Sequence, residues 1–259
     1  MRFDVITLFP ELFAPFLTSG VTRRAYESGL VDVKLWNPRD FAEGNYRRVD
    51  DRPFGGGPGM VMLAAPLASC LAAIRIERTS ADDPVVLFSP AGNTLTHSGV
   101  ESWSASQGAV LICGRYEGID QRFVDSCVTH QISLGDFVLS GGEIAAMAML
   151  DAVARLQPGV LNDEASHQLD SFNPALDGLL DCPHYTRPVA WQGQVVPDVL
   201  LSGNHASIER WRREQRLLFT RQLRPELVDK ARVSGQLTAK DEALLATSKV
   251  IAKQQQPLL

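Results

Sequence analysis

The sequence predicts an α/β fold in which a parallel sheet is followed by a small, mostly helical C-terminal domain. Three observations predict it. Val85-Val86-Leu87-Phe88 and Ala109-Val110-Leu111-Ile112-Cys113 are continuous apolar runs, the pattern of strands covered on both faces, and residues 131–139 form a third candidate. Each run leads into a polar, glycine-bearing loop and then into helical sequence, the order that builds parallel sheets with ligands at the strand carboxyl ends. Beyond Pro158 the apolar periodicity fades, and the chain becomes rich in Asp, Asn, Ser, Gly and Pro before basic helical sequence begins.

The elements follow in order. Residues 2–9 alternate and are β-rich, a first strand ended by Pro10. Residues 11–28 read as a helix and 31–36 as a second strand. Residues 44–60 form a long polar loop with the run Gly55-Gly56-Gly57-Pro58-Gly59, and loops of that length are usually functional or disordered. The run matches neither a dinucleotide fingerprint nor a P-loop; Arg47, Arg48 and Arg52 could hold a phosphate or simply be solvated. Residues 63–75 read as a helix, and Asp82-Asp83-Pro84 as the turn before the strand at 85–88. Ser89-Pro90-Ala91-Gly92-Asn93 is its loop. Helical character returns after Asp120, and residues 143–156 are a strongly apolar helix. Residues 161–178 read as a flexible linker between a domain at 1–160 and a helical domain at 179–259. In the latter, Asn204 is an N-cap candidate for a helix over 205–223, with Ile208, Trp211 and Leu218 along one side. Pro225 suits the first position of another helix, and Thr238 with Asp241 resembles a capping box.

Composition narrows the class. The formal net charge is −5, but it is unevenly spread. Residues 1–176 hold 13 Lys and Arg against 21 Asp and Glu, whereas 177–259 hold 12 against 9, and 205–232 hold eight against four. Such asymmetry suggests a polyanion docking on the second part, with a solvated basic face as the competing reading. Cys70, Cys113, Cys127 and Cys182 form no C-x-x-C pair, which argues against zinc or a disulfide framework and fits a reducing, cytoplasmic setting. The histidines are scattered, so no metal ligand set is assigned. Asp4, Pro10 and Glu11 interrupt any signal sequence, and no apolar stretch reaches a membrane span, so no membrane partner is expected.

The chemistry centres on 113–143. Glycines let backbone N–H groups approach a ligand closely, and three strand-end loops rich in such donors but poor in cations suit a nucleoside or amino-acid moiety better than a triphosphate. Tyr116 could stack on a ligand and Glu117 could pair with its cationic group, although a Glu beside an Arg is more often a structural ion pair. Residue-level reasoning ends at an α/β small-molecule site joined to a basic helical module.

Longer motifs carry a specific resemblance. Gly114-Arg115-Tyr116-Glu117-Gly118-Ile119-Asp120, Gly135-Asp136-Phe137-Val138-Leu139-Ser140-Gly141-Gly142-Glu143, Asp181-Cys182-Pro183-His184-Tyr185-Thr186-Arg187-Pro188 and Leu201-Ser202-Gly203-Asn204-His205 stand in order along the chain. So does Asp50-Asp51-Arg52-Pro53-Phe54-Gly55-Gly56-Gly57-Pro58-Gly59-Met60. Together they resemble the bacterial tRNA (guanine-N1)-methyltransferase family of the SPOUT class. The resemblance implies a deep trefoil knot within 85–142, an exception to ordinary topology. It also implies a homodimer with its active site at the subunit interface, S-adenosylmethionine as methyl donor, and methylation of the guanosine immediately 3′ of the anticodon. The matching cofactor positions are Phe88, Ser89, Pro90, Gly92, Gly114, Tyr116, Glu117, Leu134, Gly135, Asp136, Phe137, Val138, Leu139, Gly141 and Gly142. Asp170, in Leu169-Asp170-Ser171-Phe172, matches the general base, and Arg155 the arginine beside the guanine. Asn204, His205, Arg210, Arg212, Arg213 and Arg216 are the expected grip on the tRNA anticodon stem-loop. Magnesium is expected from the family alone. Phe137 and Ala145 depart from the tyrosine and proline found in relatives. Rival readings are another SPOUT RNA methyltransferase, a non-catalytic RNA-binding relative and a nucleotide-dependent oxidoreductase, the last lacking its fingerprint.

Overall fold

β1 (Arg2–Ile6) shows how the sheet is covered on both faces. Phe3 and Val5 join one buried apolar layer, and Ile6 joins the other. A computed structural model describes residues 1–79, 82–162 and 165–247 of the chain, which divides into two compact units, Met1–Glu164 and Ala165–Leu259. In the first unit β1 is followed by a 3₁₀ turn (Pro10–Leu12), α1 (Phe13–Thr18), α2 (Arg23–Glu27) and β2 (Asp32–Trp36). The helix expected over 11–28 is therefore broken. Ser19 is extended and Gly20 has a φ of 73°, so the chain turns between two short helices.

A second 3₁₀ turn (Pro38–Phe41) leads into the polar loop, which ends in a two-residue ladder of β3 (Asp50–Asp51) and β4 (Val61–Met62). Then come α3 (Ala64–Arg78), β5 (Val85–Thr94), α4 (His97–Ser104), β6 (Gly108–Ile112), α5 (Gln121–Cys127), β7 (His130–Ser133) and α6 (Glu143–Arg155). The strand order is β2-β1-β6-β5-β7, and every neighbouring pair is parallel. Val86, Phe88, Ala109, Leu111 and Ile132 pack with α6 residues Met149, Leu150 and Val153 on one face. Val85, Leu87, Val110 and Ile112 pack with Leu67, Leu71 and Ile74 of α3 on the other. These are the apolar runs that marked the strands in the sequence.

Several boundaries differ from the sequence expectation: β1, expected over 2–9, ends at Ile6, and α3, expected over 63–75, runs to Arg78. The strand expected over 131–139 ends at Ser133, whose hydroxyl donates to the Gly135 carbonyl and accepts from its N–H, turning the chain. The loop expected at Ser89 to Asn93 lies within the span of β5, which pairs with β7 at Phe88 and again at Asn93, both opposite Ile132. The four intervening residues bulge out of the ladder. A polar residue inside β1, Asp4, is fully buried. It pairs with Arg2 and Arg78, each at 2.7 Å, and accepts from the Trp36 indole at 2.8 Å, so its burial costs no unmade hydrogen bond.

The second unit contains α7 (Ala165–Gln168), a 3₁₀ turn (Pro174–Leu176), the β8 (Ala190–Trp191) and β9 (Gln194–Val195) hairpin, α8 (Asp198–Leu201), α9 (His205–Leu223), α10 (Pro225–Val233) and α11 (Ala239–Thr247). Asn204 caps α9 by accepting from the Ser207 N–H at 3.1 Å. Thr238 and Asp241 exchange side-chain and backbone hydrogen bonds in a capping box that starts α11. The core comprises Leu179, Leu217, Val228, Ala231 and Leu245. The buried side of α9 is therefore Arg216, Leu217 and Thr220; Ile208, Trp211 and Leu218 are only half-buried. Asp163 and Glu164 of the expected linker, and residues 248–259, lie outside the described residues. No helix among the described residues is long and apolar enough to cross a membrane.

Candidate active site

A cavity of about 530 Å³ opens at the carboxyl ends of β5, β6 and β7. Three chain segments wall it: the bulge after Phe88, the loop after Cys113, and the segment from Leu134 to Gly142. The floor is apolar, with Leu87, Ile119, Val124, Ile132 and Ala145. Of the residues expected from the sequence, Phe88, Ser89, Pro90, Gly114, Tyr116, Glu117, Leu134, Gly135, Phe137, Val138, Leu139, Gly141 and Gly142 line it. Gly92 and Asp136 do not. Asp136 is exposed, and Gly92 lies where a Cβ would stand 2.4 Å from the Ile132 backbone nitrogen. Gly92 lets the bulge close against β7, one step behind the wall. Gly142 has a similar task at the wall itself, since a Cβ there would come within 2.7 Å of the Cys113 Cα.

Electrostatically the cavity is sparse. Arg115 and Glu117 are the charged residues among those lining it. Arg115 is committed: its Nε lies 2.9 Å from Glu143 Oε2 and 3.1 Å from Oε1, its Nη1 donates to the Ser140 carbonyl at 3.2 Å, and its guanidinium stacks 4.4 Å above the Phe9 ring. Glu143 is 1% exposed, also accepts from the Thr7 hydroxyl at 2.9 Å, and stands in the first turn of α6, where the helix dipole favours an anion. Glu117 has a different setting. Its side chain is exposed and has no ion-pair partner among the described residues. Its backbone N–H donates to Met60, while the Met62 N–H donates to Gly118, so the glycine-rich loop is fastened to the cavity rim. Burial and the nearby Asp50 carboxylate hold the Tyr116 hydroxyl above its ordinary titration range; its backbone φ is 61°.

The sequence missed the Arg115–Glu143 pair, because the partners are 28 residues apart. It also missed the apolar floor, whose residues read simply as core. Arg155 closes α6 in the first unit. Asp170 lies in the second, after α7, with its N–H donating to His167 at 3.4 Å and its carbonyl accepting from Asn173 at 3.2 Å. On α9, Arg210 is exposed and Arg212 pairs with Glu209 at 2.6 Å. Arg213 and Arg216 turn inward instead. Arg213 bridges Asp241 and Asp177, each at 2.8 Å, and Arg216 is buried with Asp181 3.8 Å away. His205 is exposed beside the Asn204 cap.

A parallel sheet with a largely uncharged cavity at its carboxyl edge, walled by glycine turns and carrying the exposed Glu117 carboxylate, defines an α/β protein with a small-molecule-sized cavity where such sheets bind ligands. The family model described as tRNA (Guanine-1)-methyltransferase TrmD matches residues 1–230. The chain is 78% identical over 249 residues to the tRNA (guanine-N(1)-)-methyltransferase of Polaromonas sp. (strain JS666), covering 95% of this chain and 96% of that one. It is 75% identical to the protein of the same name from Albidiferax ferrireducens, over 95% and 99% of the two chains, and 62% identical to that of Methylibium petroleiphilum, over 95% and 97%. The chain belongs to the tRNA (guanine-1)-methyltransferase family.

Proposed function

We propose that this protein transfers a methyl group from S-adenosylmethionine to N1 of the guanosine immediately 3′ of the anticodon, position 37 of tRNA. The observation that carries the reading is that two of the family's glycine motifs, at 114–120 and 135–143, meet the bulge after Phe88 around one cavity at the sheet edge. The residues present suit the donor. Apolar walls and close backbone suit an adenosine, and the exposed Glu117 carboxylate suits a cationic group. When bound, S-adenosylmethionine supplies an electrophilic methyl carried on a sulfonium. Magnesium finds no comparable cradle: among the described residues no three His, Cys, Asp or Glu side chains are grouped to hold a metal.

Guanine N1 carries a proton and is a poor nucleophile until that proton leaves. Asp170 takes the proton, and the Arg155 guanidinium offsets the charge that builds on O6; the first is general base catalysis and the second electrostatic stabilisation. The target lies in a loop, so presenting it costs less than opening a duplex. The exposed side of α9, with Asn204, His205, Arg210 and Arg212, meets the tRNA backbone, while Arg213 and Arg216 contribute by holding the helix in place. The reading further includes a knot within 85–142, a flexible linker at 161–178 leading to a tRNA-binding domain, a homodimer with its active site at the subunit interface, and a cytoplasmic setting. Family membership supports the knot, the homodimer and the cytoplasmic setting, and the polar, weakly periodic composition supports the linker. The test is Asp170→Ala assayed for both steps: binding of S-adenosylmethionine is retained and methyl transfer to tRNA is lost. Normal transfer by that variant overturns the base assignment.

A further inference from the structure

Glu143 is a buried carboxylate to which the proposed chemistry gives no task. It lies behind the cavity wall, yet the wall rests on it. At Gly141 a Cβ would stand 2.3 Å from Arg115 Nε and 2.6 Å from Glu143 Oε2, so the turn backbone lies directly against the ion pair. The pair joins three parts of the sheet edge: the loop after β6 through Arg115, the turn before α6 through Ser140 and Glu143, and the end of β1 through Thr7 and Phe9. A charge inventory gives this a consequence. Arg115 and Glu117 alone would leave the lining neutral, but Glu143 consumes the charge of Arg115 from behind, and the local total becomes one negative charge, seated on Glu117. The nearby Asp120 is itself paired with Arg122 at 2.6 Å, Asp50 and Arg39 offset each other at the Tyr116 hydroxyl, and the exposed Asp136 on the neighbouring loop adds only to the negative side.

We infer that the Arg115–Glu143 pair sets the charge preference of the cavity, biasing it toward a cationic ligand over a neutral one of the same shape. The inference rests on the S-adenosylmethionine reading. The donor carries a sulfonium that its demethylated product, S-adenosylhomocysteine, lacks; the two otherwise share their ionised groups. The pair therefore favours the ligand that still has a methyl to give. Glu143 and Arg115 are positioning residues in this scheme and touch no reacting atom.

The experiment is calorimetric binding of S-adenosylmethionine and of S-adenosylhomocysteine to the full chain, without tRNA. Glu143→Gln brings the local total to zero, and the ratio of the two affinities shifts toward the neutral product by roughly five-fold relative to wild type. The double variant Arg115→Gln with Glu143→Gln returns the total to one negative charge and leaves no unpaired buried ion. It restores the wild-type ratio even if both affinities are weaker, and its thermal melt confirms folding. A purely mechanical role predicts equal losses for both ligands in both variants, and that result overturns the inference, as does an unchanged ratio in Glu143→Gln. If the wild-type chain binds neither ligand, the S-adenosylmethionine reading fails first and the inference falls with it.

Discussion

Asp170 is matched to the general base through its motif, Leu169-Asp170-Ser171-Phe172. It sits between α7 and a 3₁₀ turn, with its N–H donating to His167 and its carbonyl accepting from Asn173, and its role as base is proposed from that match. The prediction at this scale is sharp. Asp170→Ala lowers kcat for methyl transfer by about a hundred- to ten-thousand-fold, the range of general base catalysis, and leaves the Kd for S-adenosylmethionine unchanged; a calorimetric titration beside a transfer assay checks both halves. Residue roles were legible where local chemistry dictates them. Asn204 as an N-cap and Thr238 with Asp241 as a capping box could be read because the partners lie within three residues. Arg115 with Glu143 could not, since nothing local says which carboxylate the fold will bring to it. Arg213 and Arg216 teach the same lesson: a run of arginines on a helix looks like one basic face, but burial divides it.

Elements were legible by their apolar runs, and their ends were not. β5, β6 and β1 sit where continuous or alternating apolar sequence placed them. β7 stops at Ser133 because the next residues turn out to build the cavity wall, although Leu134 to Leu139 have strand-like composition. The helix α4, capped by Thr96 accepting from Gly99, follows β5 as the strand–loop–helix order expects, but its bounds were not read from the sequence. Two predictions belong here. Gly142→Ala forces backbone against Cys113, so it destabilises the fold by about 1–3 kcal/mol and weakens S-adenosylmethionine binding, measurable by denaturant titration and calorimetry. In the second unit, burial pushes the Asp241 carboxyl up, but hydrogen bonds from Arg213 and Thr238 outweigh it and hold it at about 2. A folded value below the unfolded one means this stabilisation is fully present above about pH 4 and is lost as pH falls through about 2. Asp241→Asn therefore costs on the order of 2 kcal/mol at neutral pH, and its stability changes less than wild type between these limits. An acid titration followed by circular dichroism would show parallel curves if the pair were inert.

At the scale of the whole molecule, the uneven charge was legible from residue counts, and so was the meeting of the three strand-end loops, which a parallel sheet brings to one edge and which wall the cavity; the strand order that sets them side by side was not. Two predictions concern the tRNA partner. The logarithm of the affinity for tRNA falls linearly with the logarithm of salt, and Arg210→Ala makes that slope shallower by roughly 0.7, the share of one phosphate contact on a single strand; an unchanged slope removes Arg210 from the contact surface. Hydrogen exchange over residues 165–180 slows when tRNA binds, as a segment closing over a substrate requires, and equal protection with and without tRNA counts against closure. The central claim is tested most directly by methyl transfer from labelled S-adenosylmethionine to two tRNA transcripts that differ only in the nucleotide 3′ of the anticodon. Label enters the transcript with guanosine there and not the one with adenosine. No label in the guanosine transcript, or equal label in both, would contradict the account.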